Sequence, residues 1–256
     1  MYVRVRGNQA SWIPNRHSLA GFSAPPATSS TLATQAIEGA ISELRHLQER
    51  LNLNSRDFKF GAPSLPRAHW TPQPTIEGAT WFSTGPRTAA IDSINFGTAR
   101  LDCLTAVQLA IEQGIRTALG DQVYDALGGS LRVGGTVFTK IPDGARRLEV
   151  KQASELQRGD FVYFENPPDY TRRHPGGSWR GENTVFLGDG KFLGFGVGEL
   201  TAEQLLERLA ARYNEGIPRS DQISITSVRT QNAIYRFDGQ LLEELEKRAK
   251  TTQPEH

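Results

Sequence analysis

The chain has 256 residues, 38% apolar and 22% charged, and its 29 Lys and Arg nearly balance 28 Asp and Glu, giving a net charge of +1. This length suits one large domain or two small ones with a substantial core. The near-neutral charge argues against a protein that binds nucleic acid or membrane surfaces by electrostatics, and the sequence holds no apolar run of about 18 residues that would span a bilayer.

The N-terminal region is predicted to be a lead rather than part of the core. Residues 1–6 are basic but lack the apolar segment of a cleavable signal peptide, so we expect synthesis in the cytoplasm without such a signal. Residues 18–35 are rich in Ser, Thr, Ala and Pro, which is typical of an extended linker. We therefore predict a flexible or extended lead over 1–35 and a single domain over 36–256.

Helical periodicity and proline positions organise the next part of the chain. Apolar residues from Ile37 to Leu51 recur at helical spacing, which predicts a docked surface helix. Four prolines over 55–80 predict an irregular stretch. A short helix is predicted over 89–94, and the strongest helix begins near Asp102 and ends at Gly120.

The remaining elements are predicted to be mostly strands, followed by two helices. Thr201 and Gln204 match a capping box at the start of the first helix, and a charged helix is predicted over 239–250. Helices combined with a mostly antiparallel run of strands predict an α+β domain with one core helix packed on a sheet. Short strands are predicted at 136–139, 161–164, 184–187 and 192–197, turns at 128–129 and 188–190, and a last hairpin of 223–228 with 233–237.

The single cysteine, Cys103, lies at the start of the strongest helix. It has no partner for an internal disulfide, and no Cys/His cluster has zinc spacing, so we expect no metal. A thiolate at a helix start gains from the helix dipole and the free N–H groups. The alternative is a small buried hydrophobe with Asp102 as the helix cap. Position alone leaves both open.

A cysteine nucleophile needs a group that takes its proton. Only His174 and the terminal His256 follow Cys103, so the usual downstream histidine is scarcely available. Glu182 is the best candidate because it lies between a Pro/Gly-rich loop and an apolar strand. A thiol and a glutamate differ by about 4 pKa units, roughly 5.7 kcal/mol, so the transfer needs a dry, enclosed site. The alternative, a surface salt bridge, is favoured by the local sequence alone.

Several motifs in a common order carry a resemblance to a known family. They are Asp102–Ala106, Gly159–Pro167 with the pattern G-D-x-x-Y-F-x-N-P, Trp179–Asn183, Val185–Gly188 and Gly194–Gly198. Over about residues 78–214 the chain resembles the bacterial spore-coat type of protein-glutamine gamma-glutamyltransferase, a small transglutaminase. The resemblance implies a papain-like core of the NlpC/P60 type, in which a central helix carries the cysteine and packs on an antiparallel sheet.

The resemblance also implies roles for individual residues. Cys103 matches the nucleophile, and Glu182 matches its glutamate partner inside a tunnel. Asp102 occupies the place of a second glutamate that partly substitutes for the first, with a side chain one methylene shorter. Phe195 stands where the family usually carries a histidine. The predicted substrate-binding residues are Trp179, Asn183 and Phe195, and Trp81, Tyr163 and Phe164 are further candidates for the tunnel wall.

These roles imply acyl transfer without a metal or organic cofactor. The Cys103 thiolate attacks a glutamine side chain, ammonia leaves, and a lysine amine of a second protein takes the acyl group. The expected partners are therefore proteins with accessible Gln and Lys. Two alternatives stay open: a glutamine deamidase or peptide amidase on the same core, and a non-catalytic interaction protein with an unreactive Cys103. The spore coat, or export without a cleavable signal, is the expected place of action.

Overall fold

Helix α1, Thr31–Asn52, is the first element of the computed structural model, which describes residues 30–53, 57–75, 78–135, 142–231 and 233–252. The Ser30 hydroxyl caps it by accepting the Ala33 N–H at 3.2 Å. Residues 31–35, predicted as lead, are thus helical, because this cap starts the helix before its apolar stripe begins. Residues 1–29 and the predicted strand at 136–139 lie outside the described residues, so the division into lead and domain stays a prediction.

The stretch over 55–80, predicted to be irregular, holds strands instead. They are β1 (Phe58–Phe60), β2 (Trp70–Thr75) and β3 (Gly78–Ser83), followed by α2 (Arg87–Phe96) and β4 (Ala99–Leu101). Pro72 and Pro74 lie in β2, at the edge of a three-stranded sheet. Their spacing of two puts both missing N–H groups on the side away from β3, where no ladder hydrogen bond is needed.

Helix α3, Cys103–Leu119, confirms the strongest prediction from the sequence. Its cap is Asp102, whose carboxylate accepts the Thr105 N–H at 2.7 Å, and it ends at Gly120, where φ is 78°. It packs closely against α1: a Cβ on Gly114 would meet the Ala36 carbonyl oxygen and come within 2.9 Å of Phe237 Cζ. Small residues therefore set the distance between the two helices.

The C-terminal half confirms the strands over 161–164 and 184–187, the capping box at Thr201 and the charged last helix. Its elements are α4 (Asp121–Ala126), β5 (Arg132–Gly134), β6 (Ala145–Glu149), β7 (Phe161–Glu165), α5 (Tyr170–Arg173), β8 (Gly181–Gly188), β9 (Lys191–Gly194), β10 (Gly198–Thr201), α6 (Ala202–Asn214), β11 (Arg229–Thr230), β12 (Ala233–Phe237) and α7 (Gly239–Thr252).

Two strand predictions are corrected. The strand predicted over 192–197 ends at Gly194, because Gly196, with φ of 98°, turns the chain into β10. The predicted last hairpin does not form: residues 225–227 are a short 3-10 turn, β11 pairs with β7, and β12 pairs with β6 and β7. β12 therefore pairs with strands that are distant in sequence rather than with the segment directly before it.

The large sheet has the antiparallel order β10-β9-β8-β7-β12-β6, with β11 beside β7. Alternate residues face opposite layers: Val185 packs in the core with α1 and α3, while Phe186 packs in a second core with α6. The α+β class, with the Cys103 helix packed on an antiparallel sheet, is confirmed. No helix among the described residues is long and apolar enough to span a membrane.

We expect Gly114→Ala to destabilise the protein by about 1–3 kcal/mol, since the new methyl group collides with the α1 backbone. Urea unfolding followed by circular dichroism measures this loss. The control is Ser42→Ala, an exposed position on α1, which should change stability by no more than about 0.5 kcal/mol. Equal stability of Gly114→Ala and the wild type would contradict the close helix packing.

Candidate active site

Cys103 is the first residue of α3, and its half-buried side chain meets the start of β8. The Asn183 amide donates a hydrogen bond to Cys103 Sγ at 3.5 Å, and the thiol faces the Gly181 carbonyl oxygen at 3.9 Å. The amide hydrogen bond stabilises the sulfur most when the sulfur is negatively charged. Asn183, predicted as a substrate-binding residue, therefore contacts the predicted nucleophile itself.

Glu182 lies between these two residues and has only 2% of its surface exposed. Strand alternation turns its side chain to the face opposite Asn183, where a Cβ on Gly194 would be 2.9 Å from Glu182 Oε1. That oxygen has no hydrogen-bond partner among the described residues. A buried carboxyl oxygen without a partner is costly in the ionised form, so the pocket favours the protonated acid.

Glu182 affects Cys103 through its charge, whereas the direct contacts of the Cys103 sulfur are with Asn183 and Gly181. Burial raises the pKa of the Cys103 thiol, and the nearby charges of Glu182 and Asp102 raise it further. Burial likewise raises the pKa of Glu182 well above its usual value, with a further increase from the charge of Asp102 and an opposing effect from Arg208. The resting site therefore favours a neutral thiol beside a neutral carboxylic acid.

Asp102 caps the start of helix α3, as the sequence predicted. Its Oδ1 caps α3 through the Thr105 N–H at 2.7 Å. Burial raises the pKa of Asp102, and the hydrogen bonds from Thr105 oppose that rise. The carboxylate thus holds the helix start and supplies a negative charge to the site, while its role as a substitute base stays a prediction.

The other predicted site residues occupy different environments. Trp179 is half-buried on the second core, and the Arg212 guanidinium lies 4.9 Å from the centre of its ring. Phe195 has no exposed surface: its ring stacks on Phe60 at 5.8 Å and meets Phe58 edge-on at 6.0 Å. The structure gives Phe195 a packing role, and the prediction that Trp179 and Phe195 contact substrate stays untested.

His174 lies in a structural contact rather than in the predicted solvated loop position. Its Nε2 is 2.7 Å from the Tyr213 carbonyl oxygen, and its ring packs against Tyr170 at 4.8 Å. This half-buried ring joins α5 to the end of α6, because Tyr213 belongs to α6. The prediction that His174 is not a catalytic base is consistent with this placement.

Two residues of the site had no clear signal in the sequence. Gly194 ends β9 and leaves the room that the Glu182 carboxyl occupies, which a glycine in an apolar strand could have suggested. Arg208 lies at an exposed position of α6, donates to the Val197 carbonyl oxygen at 3.3 Å, and lowers the pKa of Glu182 by its charge. Its sequence position is that of an ordinary solvated arginine.

Comparisons with known proteins agree with this architecture. A family model described as protein-glutamine gamma-glutamyltransferase matches residues 83–238. The protein-glutamine gamma-glutamyltransferase of Halalkalibacterium halodurans is 32% identical over 143 residues, 55% of this chain and 48% of that protein. The protein of the same name from Bacillus pumilus is 27% identical over 119 residues, 46% of this chain and 45% of that protein.

The chain thus spans a little under half the length of these curated relatives. A solved transglutaminase from Geobacillus stearothermophilus, without its C-terminal extension, has the same fold with a TM-score of 0.61. It is 19% identical, and the match covers 86% of this chain and 98% of the other. The resemblance drawn from the sequence motifs is confirmed at the level of the family.

We expect Glu182→Gln to accelerate alkylation of Cys103 at pH values where Glu182 is ionised, because removing its negative charge lowers the pKa of the thiol. Each unit by which the pKa falls increases the thiolate fraction about tenfold below that pKa. Asn183→Ala should act in the opposite direction, since it removes the hydrogen bond that stabilises the sulfur.

The rate of iodoacetamide labelling as a function of pH measures both effects, and the chain has only one cysteine to label. Glu149→Gln, the same change at an exposed position on β6, is the matched control and should leave the rate unchanged. Slower labelling of Glu182→Gln than of the wild type would contradict the electrostatic link between Glu182 and Cys103.

Proposed function

The chain belongs to the protein-glutamine gamma-glutamyltransferase family, and from this membership and the geometry of the site we propose that it transfers glutamyl groups from protein glutamine to lysine. The observation that carries the proposal is the arrangement around Cys103: a half-buried thiol at a helix start, the Asn183 amide donor on its sulfur, and the buried carboxyl group of Glu182, the residue before Asn183. Such a site suits a thiol that forms an acyl intermediate.

In the first step, Cys103 Sγ bonds to the carbonyl carbon of a glutamine side chain. The resemblance assigns Glu182, in its ionised form, as the acceptor of the thiol proton. Because its side chain extends to the face of β8 opposite Asn183, a water molecule must carry the proton between the two groups, and the proton then passes to the departing amide nitrogen, which leaves as ammonia. The C–N bond breaks as the tetrahedral intermediate collapses, and a gamma-glutamyl thioester remains. The raised pKa of Glu182 supports this role, because a carboxylate with a raised pKa is a stronger base than an ordinary glutamate.

In the second step, a lysine amine attacks the thioester carbon and forms the isopeptide bond. Glu182 takes the proton of the incoming amine and returns it to the Cys103 sulfur, which leaves as a thiol. Each step develops negative charge on the acyl oxygen. The first N–H groups of α3 are suited to receive it, since the first turn of a helix has N–H groups without acceptors and Asp102 takes only that of Thr105.

The proposed substrates are proteins that carry accessible glutamine and lysine side chains, as the family implies. The proposed mechanism uses neither a metal nor an organic cofactor, because the cysteine and the carboxyl groups supply both nucleophile and proton transfer. If water replaces lysine, the same steps convert glutamine to glutamate, so a deamidase remains the second outcome of any test. The place of action, in the cytoplasm, on a spore coat or outside the cell, stays a prediction.

We expect the purified protein to incorporate a primary-amine probe into the glutamines of a protein such as casein. Cys103→Ala should abolish incorporation, and Glu182→Gln should reduce it by about 10²–10⁴-fold, the usual contribution of general acid–base catalysis. Mass spectrometry of casein peptides measures both incorporation and deamidation. Deamidation without incorporation would replace the transferase by a hydrolase, and neither product together with an unreactive Cys103 would contradict the enzyme proposal.

The pH dependence of kcat/KM should follow Glu182, which acts as a base only when ionised. Since the pKa of Glu182 is raised, activity should be lost on acidification well above the ordinary glutamate pKa. Asp102→Asn keeps a good helix cap but removes a negative charge, so it should move this loss to lower pH. Arg208→Gln removes a positive charge and should move it to higher pH.

A displacement of about half a pH unit corresponds to a charge interaction of about 0.7 kcal/mol, which a profile of initial rates resolves. Arg219→Gln, an exposed arginine in a 3-10 turn, is the matched control for the loss of one positive charge. Equal acid limbs in the wild type, Asp102→Asn and Arg208→Gln would show that another group titrates.

A further inference from the structure

We propose that the Tyr163 hydroxyl donates a hydrogen bond to the oxyanion that forms when Cys103 attacks a carbonyl carbon. This inference rests on the proposed function in one respect only: Cys103 must form an acyl intermediate. It adds a catalytic residue that the sequence suggested only as an aromatic wall of the site.

Sheet register brings Tyr163 to the cysteine. It lies in β7 directly opposite Asn183 of β8, so both side chains extend from the same face of the sheet. Asn183 reaches Cys103 Sγ at 3.5 Å. Tyr163 therefore approaches the sulfur from the neighbouring strand, and the charge of Cys103 is one cause of the raised pKa of the phenol.

The Gly181 peptide shows where the hydroxyl sits. A Cβ on Gly181 would collide with the Tyr163 hydroxyl oxygen, so the phenol lies across the Cα of this glycine. The carbonyl oxygen of the same residue is 3.9 Å from Cys103 Sγ. Hydroxyl and sulfur thus lie against one residue, which puts the hydroxyl beside any carbonyl carbon bonded to the sulfur. Only glycine at position 181 leaves this space.

Arg180 makes the hydroxyl a donor. Its side chain hydrogen-bonds to Tyr163, and because a guanidinium has donors only, this bond uses a lone pair of the phenol oxygen. The O–H hydrogen remains for another acceptor. Burial raises the pKa of Tyr163, so the phenol keeps its proton throughout the range in which the enzyme works.

Tyr163 donates a hydrogen bond during the attack of the sulfur on the carbonyl carbon, but it transfers no proton. The sulfur–carbon bond forms, the carbonyl electron pair moves to the oxygen, and the Tyr163 O–H shortens its hydrogen bond to that negative oxygen. When the pair returns, the bond from carbon to the leaving group breaks. Because the hydroxyl interacts with charge that exists only around the tetrahedral state, it accelerates acylation and leaves thiol ionisation largely unchanged.

The test compares two reactions of the same thiol in Tyr163→Phe, which removes one oxygen atom. Acylation by 4-nitrophenyl acetate passes through an oxyanion, whereas alkylation by iodoacetamide displaces iodide at a saturated carbon and forms none. We expect acylation to fall at least about tenfold, towards the loss of about 10²–10³ seen when an oxyanion donor is removed. Alkylation should keep its wild-type rate and pH profile.

Tyr235→Phe, on β12 of the same sheet, is the matched control and should leave both reactions unchanged. Arg180→Gln should slow acylation in the wild type but have no further effect in Tyr163→Phe, since Arg180 acts through the hydroxyl. Equal acylation in Tyr163→Phe and wild type would overturn the proposal, and so would a parallel fall in acylation and alkylation.

The ester separates this inference from the proposed function, because it needs no glutamine. A protein that modifies no glutamine but loses ester acylation in Tyr163→Phe would overturn the transferase and retain the tyrosine donor. A protein that incorporates amine equally well with Tyr163 or Phe at this position would retain the transferase and overturn the tyrosine donor.

Discussion

The hydrogen bond from the Thr105 N–H to the Asp102 carboxylate determines where α3 begins, and the site depends on that start. Because Cys103 follows the cap directly, its side chain leaves the helix at the end where N–H groups are free and the helix dipole is positive. The close approach of α1, made possible by Gly114, holds α3 against the sheet. A start displaced by one residue would rotate the sulfur by about 100° around the helix axis, away from β8.

The pairing register of the large sheet is the second constraint, because β8 contributes a site residue to each face of the sheet. Asn183 meets the cysteine on one face while Glu182 enters a dry pocket beside Gly194 on the other. A slip of one residue would exchange the two side chains and place the carboxyl group against the sulfur. The pairing of Tyr163 with Asn183 fixes the register, so the residues that define the site also align the strands that carry it.

Local signals made part of this structure predictable. The periodicity of α3, its Asp102 cap and its Gly120 stop all lie within one stretch of sequence, and the structure has them as predicted. The capping box at Thr201 is equally local. Cys103 and Glu182 are predicted as site residues because a lone cysteine at a helix start needs a proton acceptor, and because several motifs in order resemble a known family.

Contacts between distant segments explain what sequence patterns missed. The prolines of β2 indicated a loop, and only the edge position in its sheet makes them compatible with a strand. The last hairpin failed because β12 takes its partners from β6 and β7. Alternation predicts that Glu182 and Asn183 face apart, but which one meets Cys103 depends on a contact between residues 80 positions apart.

Phe195 bears on how the proposed reaction would transfer protons without a histidine. The resemblance places an imidazole at this position, whereas here Phe58 and Phe60 enclose an apolar ring with no exposed surface. The His174 ring contacts the Tyr213 carbonyl oxygen of α6, away from Cys103. The proposed mechanism therefore assigns acid–base chemistry to carboxyl groups, whose ordinary pKa is too low for a thiol. Burial of Glu182 and the charge of Asp102 both raise the pKa of Glu182, which is the direction that this mechanism needs in the absence of an imidazole.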